Sequence, residues 1–371
     1  MKYKKHRKQR KRWLLAAGVL CAAALALNQC ATNKASTMTS VREPRQGRPV
    51  GDVAVVYSSH YEIDLGGAEK LHPFDIHKYG RIYRRLVDDG LITPADVYVP
   101  EEVTREQILL VHSEAFLRSL ESPAAVARYL EAGPVKVLPA KVVDAGLLSA
   151  FRRATGGTIL AGRQAWRHGI GVNLAGGYHH ARRDRGEGFN IYNDLAIAIR
   201  VLQEEDFIRT AMVIDLDVHQ GNGTAELFAG DDSVFTFSMH QGGIYPMPKA
   251  TSDLDVELPA GTGDEDYMRE VIRHVPRILT EHRPDMVFLQ GGCDTLAGDP
   301  LASLRMTPEG IVQRDAMVID FCRRMGIPVV YTLGGGYSGD AWRAQYLSIR
   351  RTLETHGGVT ARPREATKGK G

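Results

Sequence analysis

Short runs of β-branched and apolar residues alternate with longer amphipathic stretches along most of this chain. The apolar runs predict strands at residues 53–57, 171–174, 211–216, 234–238, 286–290 and 329–333. The amphipathic stretches predict helices at 76–88, 141–168 (interrupted at Gly156-Gly157), 194–204, 264–281, 308–325 and 341–353. Nearly continuous apolar strands separated by helices favour an α/β fold, in which helices cover both faces of a parallel sheet.

The same pattern sets the domain boundaries. Neither an internal repeat nor a linker interrupts residues 51–356, so we expect a single catalytic domain there. Residues 31–50 are rich in polar and small side chains and predict a tether, and residues 357–371 predict a polar tail.

The N-terminal 30 residues follow a different pattern. They carry eight Lys or Arg and no acidic residue, and the stretch 13–27 is mostly Leu and Ala. A basic start followed by a short apolar run predicts a secretory signal, with an uncleaved membrane anchor as the alternative. Leu27-Asn28-Gln29-Cys30 resembles a bacterial lipobox, so Cys30 is a candidate lipid attachment site. We therefore expect export to the periplasm or cell envelope, with membrane contact only through this segment.

Charge and cysteine content narrow the function. Without residues 1–30 the chain holds 39 basic against 44 acidic residues, and this acidic body predicts no nucleic-acid partner. Beyond that segment only Cys293 and Cys322 remain, which predicts buried free thiols rather than a disulfide framework.

Glycine-supported polar groups follow four of the predicted strands: Gly176-Gly177-Tyr178-His179-His180, Asp215-Leu216-Asp217-Val218-His219, Gly291-Gly292-Cys293-Asp294 and Gly334-Gly335-Gly336-Tyr337. In open parallel sheets, ligands bind beyond the carboxyl ends of the strands. The sequence therefore predicts one site at that edge.

The run from Asp215 to His219 carries the strongest chemical signal. Alternation along an extended segment puts Asp215, Asp217 and His219 on one face, which is costly without a cation. The alternatives are solvated surface acids or a calcium loop, but Gln220 stands where the calcium loop requires glycine.

Asp217, His219 and Asp294 supply the three ligands of a catalytic metal site with one open position. The pair His179-His180 can serve as general base and acid. Asp215 and Asn222 are candidate partners that orient the two imidazoles, and Tyr337 can donate to a polarised carbonyl oxygen. The reaction class that needs one Lewis-acidic metal, a base and such a donor is amide or ester hydrolysis. We find none of the nucleophile-elbow, phosphate-loop, dinucleotide or HExxH motifs.

These motifs, in this order, resemble the zinc-dependent histone deacetylase family. Residues 176–181, 215–223, 293–299 and 333–337 carry the resemblance, and residues 69–75 with the turn at 220–223 are most similar to its class IV branch and bacterial relatives. The resemblance covers about residues 53–350. It implies the arginase/deacetylase fold, a three-layer α/β/α sandwich around a parallel sheet.

Carried over by motif, the resemblance implies that Asp217, His219 and Asp294 bind one zinc ion, with iron(II) as an alternative. It makes His180 the general base and acid, His179 an electrostatic partner, and Tyr337 the group that binds the acyl carbonyl. Gly188, Phe189 and Tyr245 would line an acyl-lysine tunnel. A potassium ion is implied at Asp215, Asp217, His219, Ser238 and Met239. Class I enzymes have aspartate where this chain has Asn222, which predicts a different pH dependence.

The expected substrate is an acylated amine: an acyl-lysine of a peptide or envelope protein, an acetylpolyamine or another small amide. One rival is an arginase-like enzyme, but its binuclear centre needs a carboxylate where this chain has Gly221. The other rival is a non-catalytic envelope lipoprotein, although here no ligand and no catalytic residue is missing.

Overall fold

A parallel eight-stranded sheet forms the centre of the molecule, with spatial order β2-β1-β3-β8-β7-β4-β5-β6. The computed structural model describes residues 47–63, 69 and 72–361. The strands are β1 (Val53–Val56), β2 (Val97–Tyr98), β3 (Ile170–Asn173), β4 (Ala211–Asp215), β5 (Val234–Gln241), β6 (Leu254–Leu258), β7 (Met286–Gln290) and β8 (Val329–Thr332). Every pairing between them is parallel.

The helices follow the alternating pattern. They are α1 (Lys78–Asp88), α2 (Arg105–Leu109), α3 (Glu114–Ser119), α4 (Pro123–Tyr129), α5 (Ala140–Val143), α6 (Ser149–His168), α7 (Asp194–Glu204), α8 (Asn222–Leu227), α9 (Asp264–His282), α10 (Pro308–Arg324) and α11 (Ala341–His356). Two of the longer helices begin at a capping side chain: Asn193 caps α7 and Thr307 caps α10.

Two helical layers enclose the sheet. Helices α6 and α7 pack against each other, and α6 lies on β1, β3 and β8. Helix α11 packs on α1 and α10, and α10 also contacts α9. Every residue of β1, β3, β4, β7 and β8 is buried between the layers. The predicted three-layer α/β/α fold is confirmed.

The order of the strands places the site. After β3 the chain crosses to β4, continues outward to β5 and β6, and then returns to fill the gap with β7 and β8. The four strands whose ends carry the predicted polar groups, β3, β8, β7 and β4, are therefore adjacent at the centre. Such a reversal of strand order is where ligands bind in open α/β sheets.

The predicted interruption at Gly156-Gly157 is wrong. Helix α6 runs unbroken through both glycines, and the chain is distorted earlier, at one π-helical turn, Asp144–Leu148. The two glycines permit close packing: a Cβ at Gly156 would overlap the carbonyl of Glu101, and one at Gly157 would overlap the hydroxyl of Tyr61. The helix thus tolerates the entropic cost of glycine because neighbours approach its backbone.

Several smaller elements were not predicted: the edge strands β2 and β6, the last three residues of β5, and the short helices α2, α3, α4 and α8. β2 has only two residues, and β6 is mostly half-buried, so neither carries a long apolar run.

Parts of both chain ends lie outside the residues that the structure describes. The predicted signal segment, residues 1–30, and residues 31–46 of the predicted tether lie outside the described residues, as do residues 362–371 of the tail. Val50 pairs with Val53, and Val359 and Ala361 pack on the core. Within the described ranges, no helix is both long and apolar enough to cross a lipid bilayer.

The packing of α6 on β3 gives a stability prediction. A Cβ at Gly171 of β3 would overlap the backbone of Ala161 in α6. We expect Gly171→Ala to lower the free energy of unfolding by about 1–3 kcal/mol, as overpacking does. Urea denaturation measures it. Gly133→Ala is the control, since nothing lies within 4 Å of its Cβ position. Equal stability of both variants would contradict this packing.

Candidate active site

Two strand ends bring three metal-binding side chains together. Asp217 and His219 follow β4, and Asp294 follows the adjacent β7. One donor atom from each residue lies within 4.8 Å of the others. The Nδ1 atom of His219 is 3.2 Å from Asp217 Oδ1 and 3.2 Å from Asp294 Oδ2. All three side chains are buried, so the alternative of solvated surface acids is wrong.

Backbone and amide donors hold the two carboxylates in place. Asp217 Oδ2 accepts from the Nε2 of Gln290 and from the backbone N–H of Gly335, both at 2.9 Å. Asp294 Oδ1 accepts from the N–H of Val218 at 2.8 Å. Each carboxylate thus has one oxygen fixed by neutral donors, while its other oxygen faces His219.

The charge of this cluster suits a cation. Burial alone lowers the pKa of His219, but the hydrogen bonds to Asp217 and Asp294 outweigh it and raise that pKa to about 10. Burial and the charge of Asp217 raise the pKa of Asp294 to about 7. The point between the three donors therefore favours positive charge, and the donor set fits a divalent metal ion with nitrogen and oxygen ligands.

Two imidazoles lie beside the cluster and differ in their partners. His179 Nδ1 is 2.7 Å from Asp215 Oδ2, and His180 Nδ1 is 2.7 Å from Asn222 Oδ1. Burial lowers the pKa of His179, but Asp215 and Asp217 outweigh it and raise the value to about 9. Burial and the neighbouring imidazoles hold the pKa of His180 well below its usual range. His180 is therefore neutral, which a general base requires.

The loop after β3 carries both imidazoles. Asp194, at the start of α7, holds this loop in place. This buried carboxylate accepts from the N–H groups of Gly177 and Tyr178 at 3.0 and 2.6 Å, and from Thr158 Oγ1 at 2.6 Å. The N–H of His180 donates to Asn190 Oδ1 at 2.8 Å. The His pair is thus held by the backbone as well as by its side-chain partners.

Tyr337 follows β8 and faces the metal-binding cluster. Its backbone N–H donates to Asp299 Oδ2 at 2.8 Å, and its ring lies 6.3 Å from that of His219 between centroids. Burial of its ring and the charges of Asp294 and Asp217 raise the pKa of its hydroxyl well above the usual range. The hydroxyl therefore keeps its proton and can donate it in a hydrogen bond.

The three residues assigned to a tunnel lie on two loops at this site. Gly188 and Phe189 form the tip of a tight turn closed by hydrogen bonds between Glu187 and Asn190, and both have positive φ, 54° and 67°. A Cβ at Gly188 would press on the ring of His180. Phe189 lies 6.0 Å from Tyr337, and Tyr245 lies 5.0 Å from His180, measured between ring centroids. Aromatic rings therefore surround the approach to the cluster.

The residues assigned to a potassium site lie on adjacent strands. Asp215 of β4 pairs in register with Ser238 of β5, and Met239 follows. Ser238 Oγ lies 2.9 Å from His240 Nδ1. Bound potassium stays a prediction.

Sequence reasoning missed several polar residues that support the site. Gln290 ends the buried strand β7, and a polar side chain at that position was a usable signal. Lys78 is buried in α1, and its Nζ donates to the carbonyls of Gly334 and Gly335 at 2.9 and 3.3 Å. Glu187 accepts from Tyr245 and Asn222. No local pattern distinguishes Lys78 or Glu187 from surface charges.

A buried three-donor set beside two imidazoles and a phenol, at the centre of a parallel sheet, is typical of metal-dependent hydrolases. Comparison with known proteins gives the family. Residues 72–353 match the histone deacetylase domain. The chain is 37% identical to histone deacetylase 2 of Arabidopsis thaliana over 318 residues, which is 85% of this chain and 82% of the relative.

The chain is also similar to two further proteins. An uncharacterised protein of Picosynechococcus sp. is 40% identical over 288 residues, 76% of this chain and 92% of the relative. Human histone deacetylase 1 is 28% identical over 299 residues, 75% of this chain and 60% of the relative. The crystal structure of the HDA15 HD domain matches with a TM-score of 0.67 at 24% identity, covering 82% of this chain and 91% of that one, and supports the fold. This chain belongs to the histone deacetylase family.

The donor geometry predicts metal binding that depends on Asp294. Zn²⁺ titrated into metal-free protein should bind at one ion per chain, and Asp294→Asn should abolish tight binding because it removes a charged ligand. Isothermal titration calorimetry measures both. Asp320→Asn on α10, away from the site, is the matched control. Tight stoichiometric binding by Asp294→Asn would contradict this site.

Proposed function

We propose that this protein is a zinc-dependent amidohydrolase that removes the acyl group from an acylated amine, with iron(II) as an alternative metal. One observation carries the proposal: the donors of Asp217, His219 and Asp294 converge beside a neutral His180 and a protonated Tyr337. Metal-dependent amide hydrolysis uses a Lewis acid, a base and a donor to the carbonyl oxygen; these residues would hold the first and supply the other two.

The metal ion supplies, when bound, a Lewis acid that polarises the amide carbonyl and favours deprotonation of the attacking water. His180 Nε2 takes a proton from this water, whose oxygen bonds to the carbonyl carbon. The Tyr337 hydroxyl donates a hydrogen bond to the carbonyl oxygen as negative charge develops there. His180 then gives its proton to the amine nitrogen as the C–N bond breaks, which leaves a carboxylic acid and a free amine.

The two imidazoles have different roles because their hydrogen-bond partners differ. Asn222 Oδ1 accepts from Nδ1–H of His180 and leaves its Nε2 free to act as the base. His179, paired with Asp215, carries a positive charge that balances the buried carboxylates nearby.

The aromatic rings beside the cluster favour a substrate with an unbranched aliphatic stem. Phe189, Tyr245 and Tyr337 present rings around the cluster, which suits the methylene chain of an acyl-lysine or an acylpolyamine. A binuclear, arginase-like centre is disfavoured, because a side chain at Gly221 would overlap Asp215 Oδ2. A purely binding role is disfavoured because the ligand set and the catalytic groups are complete.

The roles of His180 and Tyr337 predict separable losses. His180→Ala should abolish turnover while one ion per chain remains bound, because the base is not a ligand. Tyr337→Phe should lower kcat by about 10²–10³, the usual loss for one donor to the developing oxyanion. An acetyl-lysine peptide assay with metal analysis measures both. Tyr83→Phe, a tyrosine outside the site, is the control. Near-normal rates in both site variants would rule out this mechanism.

We further propose that the protein acts outside the cytosol, possessing a cleaved signal or a lipid on Cys30. The basic start and the apolar run at residues 13–27 support export. Acylated amines of the cell envelope, peptides or small amides would then be the substrates.

Export through a cleaved or lipidated signal predicts a mature chain that lacks the basic segment. Fractionation followed by N-terminal sequencing should locate the protein in the envelope or periplasm and give an N-terminus beyond residue 27, or one blocked at Cys30. A cytosolic protein that still begins at Met1 would refute export and favour intracellular acyl-lysine proteins as substrates.

A further inference from the structure

Glu187 connects the partner of the general base to the aromatic rim of the site. Its Oε1 accepts from Asn222 Nδ2 at 3.2 Å and from the hydroxyl of Tyr245 at 2.9 Å. Its Oε2 lies 3.0 Å from Arg182 Nε and 2.9 Å from Arg185 Nε. This carboxylate therefore has four partners, none of which is a metal-binding residue or His180.

The charge of Glu187 is stabilised where it lies. Partial burial raises the pKa of this carboxyl, but the hydrogen bond from Tyr245 and the charges of Arg182 and Arg185 outweigh burial and lower it. Glu187 is thus ionised near neutral pH. An ionised carboxylate accepts hydrogen bonds and donates none.

This restriction decides which way the Asn222 amide points. The amide has a donor end and an acceptor end, and the carboxylate can receive only the donor end, Nδ2. The acceptor end, Oδ1, must then face His180, where it accepts from Nδ1–H at 2.7 Å. An aspartate at this position would present an acceptor in either orientation, whereas an asparagine needs a neighbour that selects one.

The opposite orientation would disable the base. A rotated amide would present N–H groups to His180 Nδ1, which would then have to accept, and the ring proton would move to Nε2. That nitrogen is the one that must be free to take a proton from water. The orientation of one amide therefore determines whether His180 can act as a base.

We propose that Glu187 is a positioning residue that fixes the Asn222 amide and thereby keeps His180 in the tautomer protonated at Nδ1. The proposal rests on the proposed function for its effect on turnover, but the tautomer itself is a property of the folded protein. Glu187 also adjoins Gly188 and Phe189, so the turn that lines the tunnel carries the residue that tunes the base.

The kinetic test compares Glu187 variants with matched controls. Glu187→Leu should lower kcat by about 10–100-fold, as loss of an orienting partner typically does, with a smaller change in KM. Glu187→Gln should recover most of kcat, because its Oε1 can still accept from Asn222. Tyr245→Phe removes only the hydrogen bond at the rim and should lower kcat less. Glu226→Gln is the surface control, since the exposed side chain of Glu226 also pairs with Arg182.

The same substitution in a second protein background separates a loss of amide positioning from general damage to the site. In Asn222→Asp, the new carboxylate accepts from His180 without help, and Glu187 becomes a like charge beside it. Adding Glu187→Leu to Asn222→Asp should therefore leave kcat unchanged or raise it. An equal loss of kcat on adding Glu187→Leu in both backgrounds would overturn the proposal.

A spectroscopic test does not depend on turnover. In zinc-loaded protein labelled with ¹⁵N-histidine, the His180 signals, assigned with His180→Ala, should report a ring protonated at Nδ1. Glu187→Leu should shift them toward a mixture of tautomers, while Glu187→Gln should retain the wild-type pattern. Unchanged signals in Glu187→Leu would overturn the proposal. A protein that hydrolyses no acyl-amine yet shows the shift would refute the proposed function alone.

Discussion

Two carboxylates are buried against one imidazole at the centre of this site, and the surrounding elements hold them there. Burying charge without compensation is expensive, so the cluster of Asp217, His219 and Asp294 favours a cation at its centre. The sheet makes the cluster possible, because the late strand β7 inserts beside β4 and brings two distant segments to one edge. The fold therefore brings the negative charges together, and a bound metal ion would offset their cost.

The surrounding groups keep this arrangement rigid. The buried guanidinium of Arg314 donates from Nη1 to the carbonyls of Leu216 at 3.1 Å and Gly292 at 2.8 Å, so one side chain ties both ligand-bearing loops together. Gln290 and Gly335 donate hydrogen bonds that fix Asp217 Oδ2. Sites held in this way retain their geometry during reaction, which is the basis of electrostatic preorganisation.

The sequence predicted what depends on local pattern and chain order. Apolar runs gave the central strands, and the rule that parallel strands deliver ligands at their carboxyl ends brought His180 and Tyr337 to the same edge as Asp217. Contacts between segments far apart in the chain could not be predicted from the sequence. Asp217 and its donor Gln290 are 73 residues apart, and Lys78 reaches a carbonyl 256 residues away. The glycines of α6 were misread for the same reason, since their neighbours come from other segments.

We propose that the metal-binding cluster performs amide hydrolysis. The most direct measurement follows an Nε-acetyl-lysine peptide with full-length protein, quantifying acetate and free lysine amine before and after removal of metal by a chelator. Hydrolysis at this cluster requires equal release of both products, loss of turnover on chelation, and recovery when one equivalent of Zn²⁺ is returned. Turnover that persists in metal-free protein, or no turnover of any acyl-amine with one ion bound per chain, would contradict it.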